Sequence, residues 1–466
     1  MFCFNCGQQL PVLVSFCDIC GANQRNGDFF PLRDGSTDFE IIKYYFNQNF
    51  SYKAILGFLK KYHGLKLSMR SLKRRLKKHG ESRRKQPIID EAVVRAIIIR
   101  ENSGPGSLFG YRSMWNVLRS SYGIRYPRDK VMEILKEVDP QGTKERRRRK
   151  LIRRKFYSFG KYIMLLSLYY FYLFCSTRVW WWNNRSVTSL RILAKIYFFL
   201  TNIFVILGSN HCWFVDGYDK LKPYGFPIYG AVDGFSRRVI WLKITRSNNN
   251  PIIPAYLYKK AALELKKIPA MLRTDCGTET GLIAALHCFL HQNSDAHRFV
   301  KSVANQRIEN WWSHLRKHYT SWLINFFKGL VFDGHYHLGN YVHEECAWFV
   351  FRDLIQSDLD RIRYWWNSHF IRKSQHNTVS GIPDDLYFLP EWKGFCECGK
   401  SVNIADFDRI GYNAFDAQAE SIMYRKDEDL TEYFNYTIVA EGLCYPPQRW
   451  DEAKTIFIKI SQISGY

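Results

Sequence analysis

The sequence predicts a multidomain chain that begins with a small cysteine-rich unit, continues through all-α units and ends in an α/β core with a mixed sheet. At 466 residues the chain exceeds one ordinary domain. Four of its twelve cysteines fall within the first twenty residues. Apolar residues recur at helical spacing as far as Val138, whereas short apolar runs separated by turn residues begin at His211 and indicate strands.

Charge and cysteine usage restrict the class of partner and the compartment. The chain carries 68 Lys and Arg against 43 Asp and Glu, a formal charge of +25. This balance favours a polyanionic partner, and DNA is expected, although a solvated basic surface is the alternative. The cysteines do not resemble a secreted disulfide scaffold, and the N-terminus lacks the basic start and apolar run of a signal peptide. We therefore expect an intracellular protein, located in the nucleus if its ligand is DNA.

Residues 1–30 predict a zinc ribbon with four cysteine ligands. Its ligands are two Cys-x-x-Cys pairs, each followed by glycine and separated by ten residues. This spacing is typical of structural Zn²⁺, and the surrounding βαβ pattern of a redox-active pair is missing. The predicted zinc ligands are Cys3, Cys6, Cys17 and Cys20.

Residues 38–85 predict a helix-turn-helix-like DNA-binding unit. Ser51 and Ser68 are suitable N-caps. The helix after Ser68 combines two inward leucines with a face that is rich in Arg and Lys and contains no acid, as a recognition helix requires. The predicted DNA contacts on this face are Arg70, Lys73, Arg74 and Lys77.

Residues 88–155 predict a second helical unit, which is interrupted at 103–106 and ends in an Arg-rich run. Nine of the last twelve residues are basic and one is acidic. Such a run binds phosphate or directs nuclear import, and the two roles are compatible. The predicted DNA-binding residues of the run are Arg146, Arg147, Arg148, Arg149, Arg153 and Arg154.

Residues 161–208 form an apolar insertion with two uncharged runs, 162–177 and 196–210. Each run is shorter than the roughly 20 residues that a bilayer requires, so a membrane hairpin is the weaker interpretation. We favour a translated intron, because the codons around Gly160 can encode a splice donor. Removing the stretch merges Gly160 with Gly208 and keeps the reading frame.

Residues 209–390 predict the α/β core. Three acidic residues, Asp216, Asp275 and Glu309, stand at the end of a strand, just beyond another strand, and in the first turn of a helix. The predicted strands are 213–216, 228–232, 239–244, 270–274 and 299–303, and the predicted helices are 254–267, 281–291 and 306–320. The acids at Asp219, Asp233 and Glu279 have less favourable contexts and are interpreted as ordinary surface or turn residues.

The stretch 213–390 resembles the retroviral-type integrase catalytic core, a ribonuclease H-like fold shared with DDE transposases. Residues 364–369 and 381–387 resemble the C-terminal motif of that family. With its two helical units, the chain also resembles the transposon-derived integrase core proteins of animal genomes. A four-cysteine ribbon replaces the retroviral His-His-Cys-Cys finger. The resemblance implies a homo-oligomer and an acidic triad made of Asp216, Asp275 and Glu309.

Three carboxylates suit two-metal phosphoryl transfer. Their hard oxygen ligands hold two Mg²⁺ or Mn²⁺ ions about 4 Å apart, one activating the attacking oxygen and the other stabilising the leaving oxygen. Water as the attacker gives nicking, and a DNA 3′-hydroxyl gives strand transfer. The protein contributes positioning and charge neutralisation, as in other phosphoryl transfers.

The sequence thus predicts a DDE-type integrase or transposase-like protein that binds DNA and takes no small-molecule substrate. The alternative is a domesticated, catalytically silent nucleic-acid-binding protein, and a membrane protein is a weaker third possibility. Two tryptophans and two basic residues lie near Glu309, and this pattern indicates contact with DNA and core packing equally. They are Trp311, Trp312, Arg316 and Lys317. The C-terminal extension, 391–466, has no predicted role.

Overall fold

The computed structural model describes most of the helical units, the core and the C-terminal extension. Within these residues, no helix is both long and apolar enough to cross a membrane. The predicted zinc ribbon, residues 161–205 of the insertion, and Arg149, Arg153 and Arg154 lie outside the described residues. Those described are 37–48, 50–82, 89–148, 206–300, 305–373, 379–408 and 413–463.

The first helical unit contains three helices. They are α1 (Asp38–Asn47), α2 (Tyr52–His63) and α3 (Met69–Lys78). The Ser51 hydroxyl accepts the backbone N–H of Ala54, and the Ser68 hydroxyl accepts that of Ser71, which confirms both N-caps. Gly64 ends α2 at a φ of 66°, a conformation that glycine adopts without the steric cost of a Cβ.

The second helical unit has an apolar core of its own, formed by residues such as Ile98, Met114 and Leu135. The predicted interruption is a 3₁₀ turn at Pro105–Leu108. Its helices are α4 (Glu91–Asn102), α5 (Tyr111–Ser120), α6 (Arg128–Val138) and α7 (Pro140–Arg148).

The predicted α/β core contains a five-stranded mixed sheet. Its strands are β2 (Cys212–Tyr218), β3 (Ile228–Asp233), β4 (Val239–Ile244), β6 (Met271–Asp275) and β7 (His297–Val300), and their order in the sheet is β4-β3-β2-β6-β7. Strand β2 pairs antiparallel with β3 and parallel with β6, β3 pairs antiparallel with β4, and β6 pairs parallel with β7. This confirms the predicted mixed sheet. Two short strands, β1 (Gly208–Ser209) and β5 (Lys267–Ile268), lie outside this sheet.

Helices cover both faces of the sheet. Trp213 and Val215 pack in one apolar cluster with α8 (Ile252–Leu265) and α9 (Gly281–His291). Phe214 packs on the opposite face, in a cluster with the helices that follow β7. The predicted helix 306–320 is part of a longer helical segment, in which a π-helical turn joins two α-helices. That segment is α10 (Gln306–Leu315), the turn Arg316–Thr320 and α11 (Ser321–Phe332), followed by α12 (Tyr341–Ser368) and α13 (Pro383–Phe388).

The C-terminal extension packs against the core. Lys259 of α8 is 2% exposed and forms an ion pair of 2.9 Å with Asp416. Phe434 and Phe457 are buried in the cluster that includes α12. The elements of the C-terminal extension are β8 (Cys396–Glu397), β9 (Lys400–Ser401), α14 (Ile404–Asp408), α15 (Asn413–Met423), α16 (Glu428–Ala440) and α17 (Trp450–Ile463).

Both helical units are attached to the core by specific contacts. In the first unit, the Lys61 ammonium donates to the Phe388 carbonyl at 2.8 Å and pairs with Glu391 at 2.9 Å. In the second unit, Glu101 is 6% exposed and accepts from Arg361 of α12 at 2.8 Å. Arg361 also donates to Asp358 at 2.9 Å. The two carboxylates that contact Arg361 are largely buried, so this ion-pair network joins the second unit to α12.

Candidate active site

Asp216 lies near the carboxyl end of β2, and Asp275 lies at the carboxyl end of β6, the parallel strand beside it. Phe214 of β2 is paired with Arg273 of β6, and the same register continued by two residues sets Asp216 beside Asp275. Neighbouring strands are about 4.8 Å apart, and residues in register point to the same face. Asp216 shares its face with Phe214, which is the face that α10 covers.

Hydrogen bonds orient both aspartates. One oxygen of Asp216, Oδ2, accepts the indole N–H of Trp312 at 2.8 Å, and the other, Oδ1, accepts the backbone N–H of Gly217 at 2.9 Å. The Asp275 carboxylate accepts the side-chain N–H of Asn305 at 2.9 Å, and the same amide donates to the carbonyl of Val215 at 3.3 Å. Donors from the N-cap and the interior of one helix, α10, therefore reach both strands.

Glu309 lies in the first turn of α10 and is exposed. Its position on this helix sets it three residues before Trp312, on the same side of the helix. Exposed Lys220, just after β2, interacts electrostatically with Glu309 and opposes the rise in its pKa. The three predicted acids are therefore carried by three elements that meet at one end of the sheet.

The electrostatics of the site are those of crowded, partly desolvated carboxylates. Burial raises the pKa of Asp216 to about 7, and Asp275 and Glu309 contribute to the rise, while the hydrogen bond from Trp312 opposes it. Burial also raises the pKa of Asp275, and the pKa of Glu309 is raised by burial and then by Asp275. An opposite charge among them would favour the ionised forms.

The donor set fits a divalent cation, although the three acids do not form a closed cluster. In the part of the chain that the structure describes, no three His, Cys, Asp or Glu side chains are grouped closely enough to hold a metal ion. The acids do interact electrostatically, and carboxylate oxygens are the ligands that Mg²⁺ and Mn²⁺ prefer. Because like charges repel, a cation would be needed to draw the three groups together.

The other acids near the site have different surroundings. Asp233 is fully buried and accepts the N–H and O–H of Ser236 and the N–H of Asn210, so it stabilises the turn after β3. Asp219 accepts from Asn248, which occupies one of its oxygens. Burial raises the pKa of Tyr229, and nearby acids that include Glu279 and Asp219 as well as the two central aspartates raise it further. Asp219 and Glu279 therefore lie at the same end of the sheet as the predicted triad.

The tryptophans beside Glu309 belong to the core. Trp311 is 3% exposed and Trp312 is 4% exposed, so neither is available to stack on a base, whereas Arg316 and Lys317 are exposed. The sequence patterns did not identify Trp312 or Asn305 as contacts of the aspartates. Their spacing from Glu309 gave the only signal, because both fall within about one turn of it along the helix.

Helix α3 carries a basic surface, which is a candidate for contact with DNA. Leu72 and Leu76 are buried against α1 and α2, whereas the four predicted contact residues are exposed. Only Arg75 of this helix forms an ion pair in the described part of the chain, with Asp38 at 3.0 Å. The exposed set is Arg70, Lys73, Arg74 and Lys77, with Lys78 beside it.

In the Arg-rich run, Arg146 makes contacts within the protein. Its guanidinium pairs with Asp139 at 2.9 Å and donates to the Ser107 carbonyl at 2.6 Å, within the second helical unit. A phosphate would have to compete with both contacts. Arg147 and Arg148 continue helix α7.

Comparison with known proteins agrees with this geometry. A family described as an integrase core domain matches residues 203–389, which include all three acids and the whole five-stranded sheet. A search of curated proteins gave no match to the chain.

Proposed function

Residues 203–389 are an integrase core domain, and from this premise we propose that the protein is a polynucleotidyl transferase that nicks or joins DNA at Asp216, Asp275 and Glu309. An integrase or transposase-like function related to DNA follows from the family itself. The finer proposal is supported by the register of β2 and β6, which continued by two residues sets Asp216 beside Asp275, and by the electrostatic interaction of Asp216 with Asp275 and Glu309.

In this mechanism the three carboxylates would hold two divalent cations, Mg²⁺ or Mn²⁺. Bound there, the cations would supply charge neutralisation and an activated oxygen nucleophile for in-line displacement at phosphorus. Trp312 and Asn305 orient the two aspartates through hydrogen bonds of 2.8 and 2.9 Å. Lys220 is exposed beside Glu309 and can pair with a phosphate oxygen of the substrate.

DNA binding is assigned to the exposed basic face of α3, with the Arg-rich run as a second contact. The face carries several cations and no acid, so it favours the phosphate backbone over a particular base sequence. We further propose that the protein acts in the nucleus, binds structural Zn²⁺ through its four N-terminal cysteines, and works as a homo-oligomer.

A nicking and strand-transfer assay tests the proposal. Full-length protein, and a second form without residues 161–208, would be incubated with supercoiled plasmid and Mn²⁺. We expect metal-dependent nicking that is lost in Asp275→Asn and Glu309→Gln, while the affinity for DNA is retained. The matched control is Glu428→Gln, which removes an exposed carboxylate on α16.

The outcome also separates the proposed function from the silent alternative. Equal nicking by wild type and by the triad variants would refute catalysis at this site. Binding of DNA without any nicking, in the presence of Mn²⁺, would support a domesticated DNA-binding protein. The exposed face of α3 is independent of the acids and would allow that second function.

A further inference from the structure

We propose that Trp312 is a positioning residue, which holds the Asp216 carboxylate in the orientation that allows Asp216 and Glu309 to share one cation site. The inference rests on the proposed function, because it concerns the same three acids. It assigns to a buried tryptophan a role beyond core packing. The role is carried by the indole N–H and not by the ring volume.

The hydrogen bonds of Asp216 leave little rotational freedom. Trp312 Nε1 donates to Oδ2 at 2.8 Å, while the backbone N–H of Gly217 donates to Oδ1 at 2.9 Å. With one donor on each oxygen, the plane of the carboxylate is defined. Each oxygen has a second lone pair, which can be offered to a cation.

The indole of Trp312 is itself held in place from two sides. On β3, Gly230 is the residue paired with Asp216, and a Cβ added there would lie 2.6 Å from Cη2 of Trp312. On the other side, the ring of Tyr218 lies 5.1 Å from the Trp312 ring, and the Tyr218 hydroxyl is 2.6 Å from Thr320 Oγ1. A glycine at position 230 is therefore what allows the indole to reach Asp216.

Because Trp312 follows Glu309 on α10, its bond to Asp216 also links the helix to strand β2. Glu309 and Trp312 are three residues apart and project from the same side of the helix. Any shift of the helix that moved Glu309 away from Asp216 would lengthen or break the indole hydrogen bond. The bond thus couples the relative placement of two of the three acids.

Trp311 provides a matched control for Trp312. It is the preceding residue of the same helix and is equally buried, at 3% exposed. Its ring packs on Trp366 at 4.7 Å, and among the described residues its indole N–H has no hydrogen-bond partner. Replacing either tryptophan by phenylalanine removes the same atoms from the core. Only at Trp312 does it also remove a hydrogen bond to a catalytic carboxylate.

The experiment is a calorimetric titration of full-length protein with Mn²⁺, in the absence of DNA. Wild type, Trp312→Phe and Trp311→Phe would be compared after each is shown to be folded by circular dichroism. Loss of a group that orients a metal ligand commonly weakens metal affinity by about tenfold or more. We expect a loss of that size in Trp312→Phe and a change of less than about twofold in Trp311→Phe.

The result separates the two hypotheses. If wild type does not bind Mn²⁺, the proposed function fails and this inference fails with it. If wild type binds and Trp312→Phe binds as tightly, the two-cation site stands and the positioning role is refuted. An equal loss in both variants would also refute it, since ring volume alone would then account for the effect.

A second variant keeps the test valid if Trp312→Phe does not fold. Gly230→Ala retains the indole and its N–H but pushes the ring away from Asp216. We expect it to weaken Mn²⁺ binding in the same direction, with the KM for DNA unchanged and kcat reduced. Unchanged Mn²⁺ affinity in a folded Gly230→Ala protein would overturn the inference.

Discussion

Replacing Asp216 by asparagine should make the protein more stable above neutral pH when no divalent cation is present. Burial raises the pKa of Asp216 from its ordinary value of 3.8 to about 7. Between these two values the folded protein binds a proton that the unfolded chain has released. The contribution of Asp216 to stability therefore falls as pH rises through this window.

The size of the effect follows from two opposing terms. A shift of about three pKa units corresponds to about 4 kcal/mol of cost once Asp216 is ionised in the folded protein. Asparagine removes this cost, but its single carbonyl oxygen can accept from only one of the two donors, Trp312 and Gly217. The unpaired donor costs about 1–3 kcal/mol. We therefore expect a net gain of about 1–3 kcal/mol at about pH 8, and none at about pH 5.

Urea unfolding of wild type and Asp216→Asn in EDTA, at both pH values, measures the difference. Adding Mn²⁺ at the higher pH should then stabilise wild type more than the variant, because the variant has lost a ligand for the cation that binds the folded state. Glu428→Gln is the control, since Glu428 is an exposed acid of α16 and its replacement should change stability little in EDTA. A gain in Asp216→Asn that is the same at both pH values would contradict the reasoning, as would a loss at the higher pH.

Three further predictions concern Arg361, the basic face of α3 and His287, which is buried on α9. Arg361→Met should lower the free energy of unfolding in urea by about 3–5 kcal/mol, because it leaves two largely buried carboxylates without a cation. Glu101→Gln should lower it less, and the reverse order would contradict the docking role of this pair. Lys77→Glu should weaken DNA binding in a filter-binding titration and reduce its dependence on salt. Lys328 is an exposed lysine of α11, and Lys328→Glu should change neither property. Equal effects of the two substitutions would exclude α3 as the contact. Burial lowers the pKa of His287 to about 2. The stabilising contribution of the neutral imidazole is therefore present above the ordinary pKa of 6.5 and is lost as pH falls below it. His287→Gln should flatten this part of the stability profile, and an unchanged slope in the variant would show that His287 does not cause it.

Much of the fold was predictable because local patterns report which face of an element is buried. The N-caps at Ser51 and Ser68, the turn at Pro105–Leu108 and the helix at Gly281–His291 all agree with the sequence. The mixed sheet was also predicted from short apolar runs between turn residues. By contrast, the packing of residues 391–463 against α8 and α12 depends on partners that lie far away along the chain, and no local pattern indicates them.

The sequence by itself determined the order of elements and the acids carried at the ends of two strands and in the first turn of α10. Only the tertiary structure decided which of two adjacent tryptophans reaches Asp216. Trp311 and Trp312 are the same residue type in neighbouring positions, and both are buried. The difference arises because Gly230 leaves space beside Asp216 on a strand that is distant along the chain, and only the pairing of β2 with β3 brings that strand under α10.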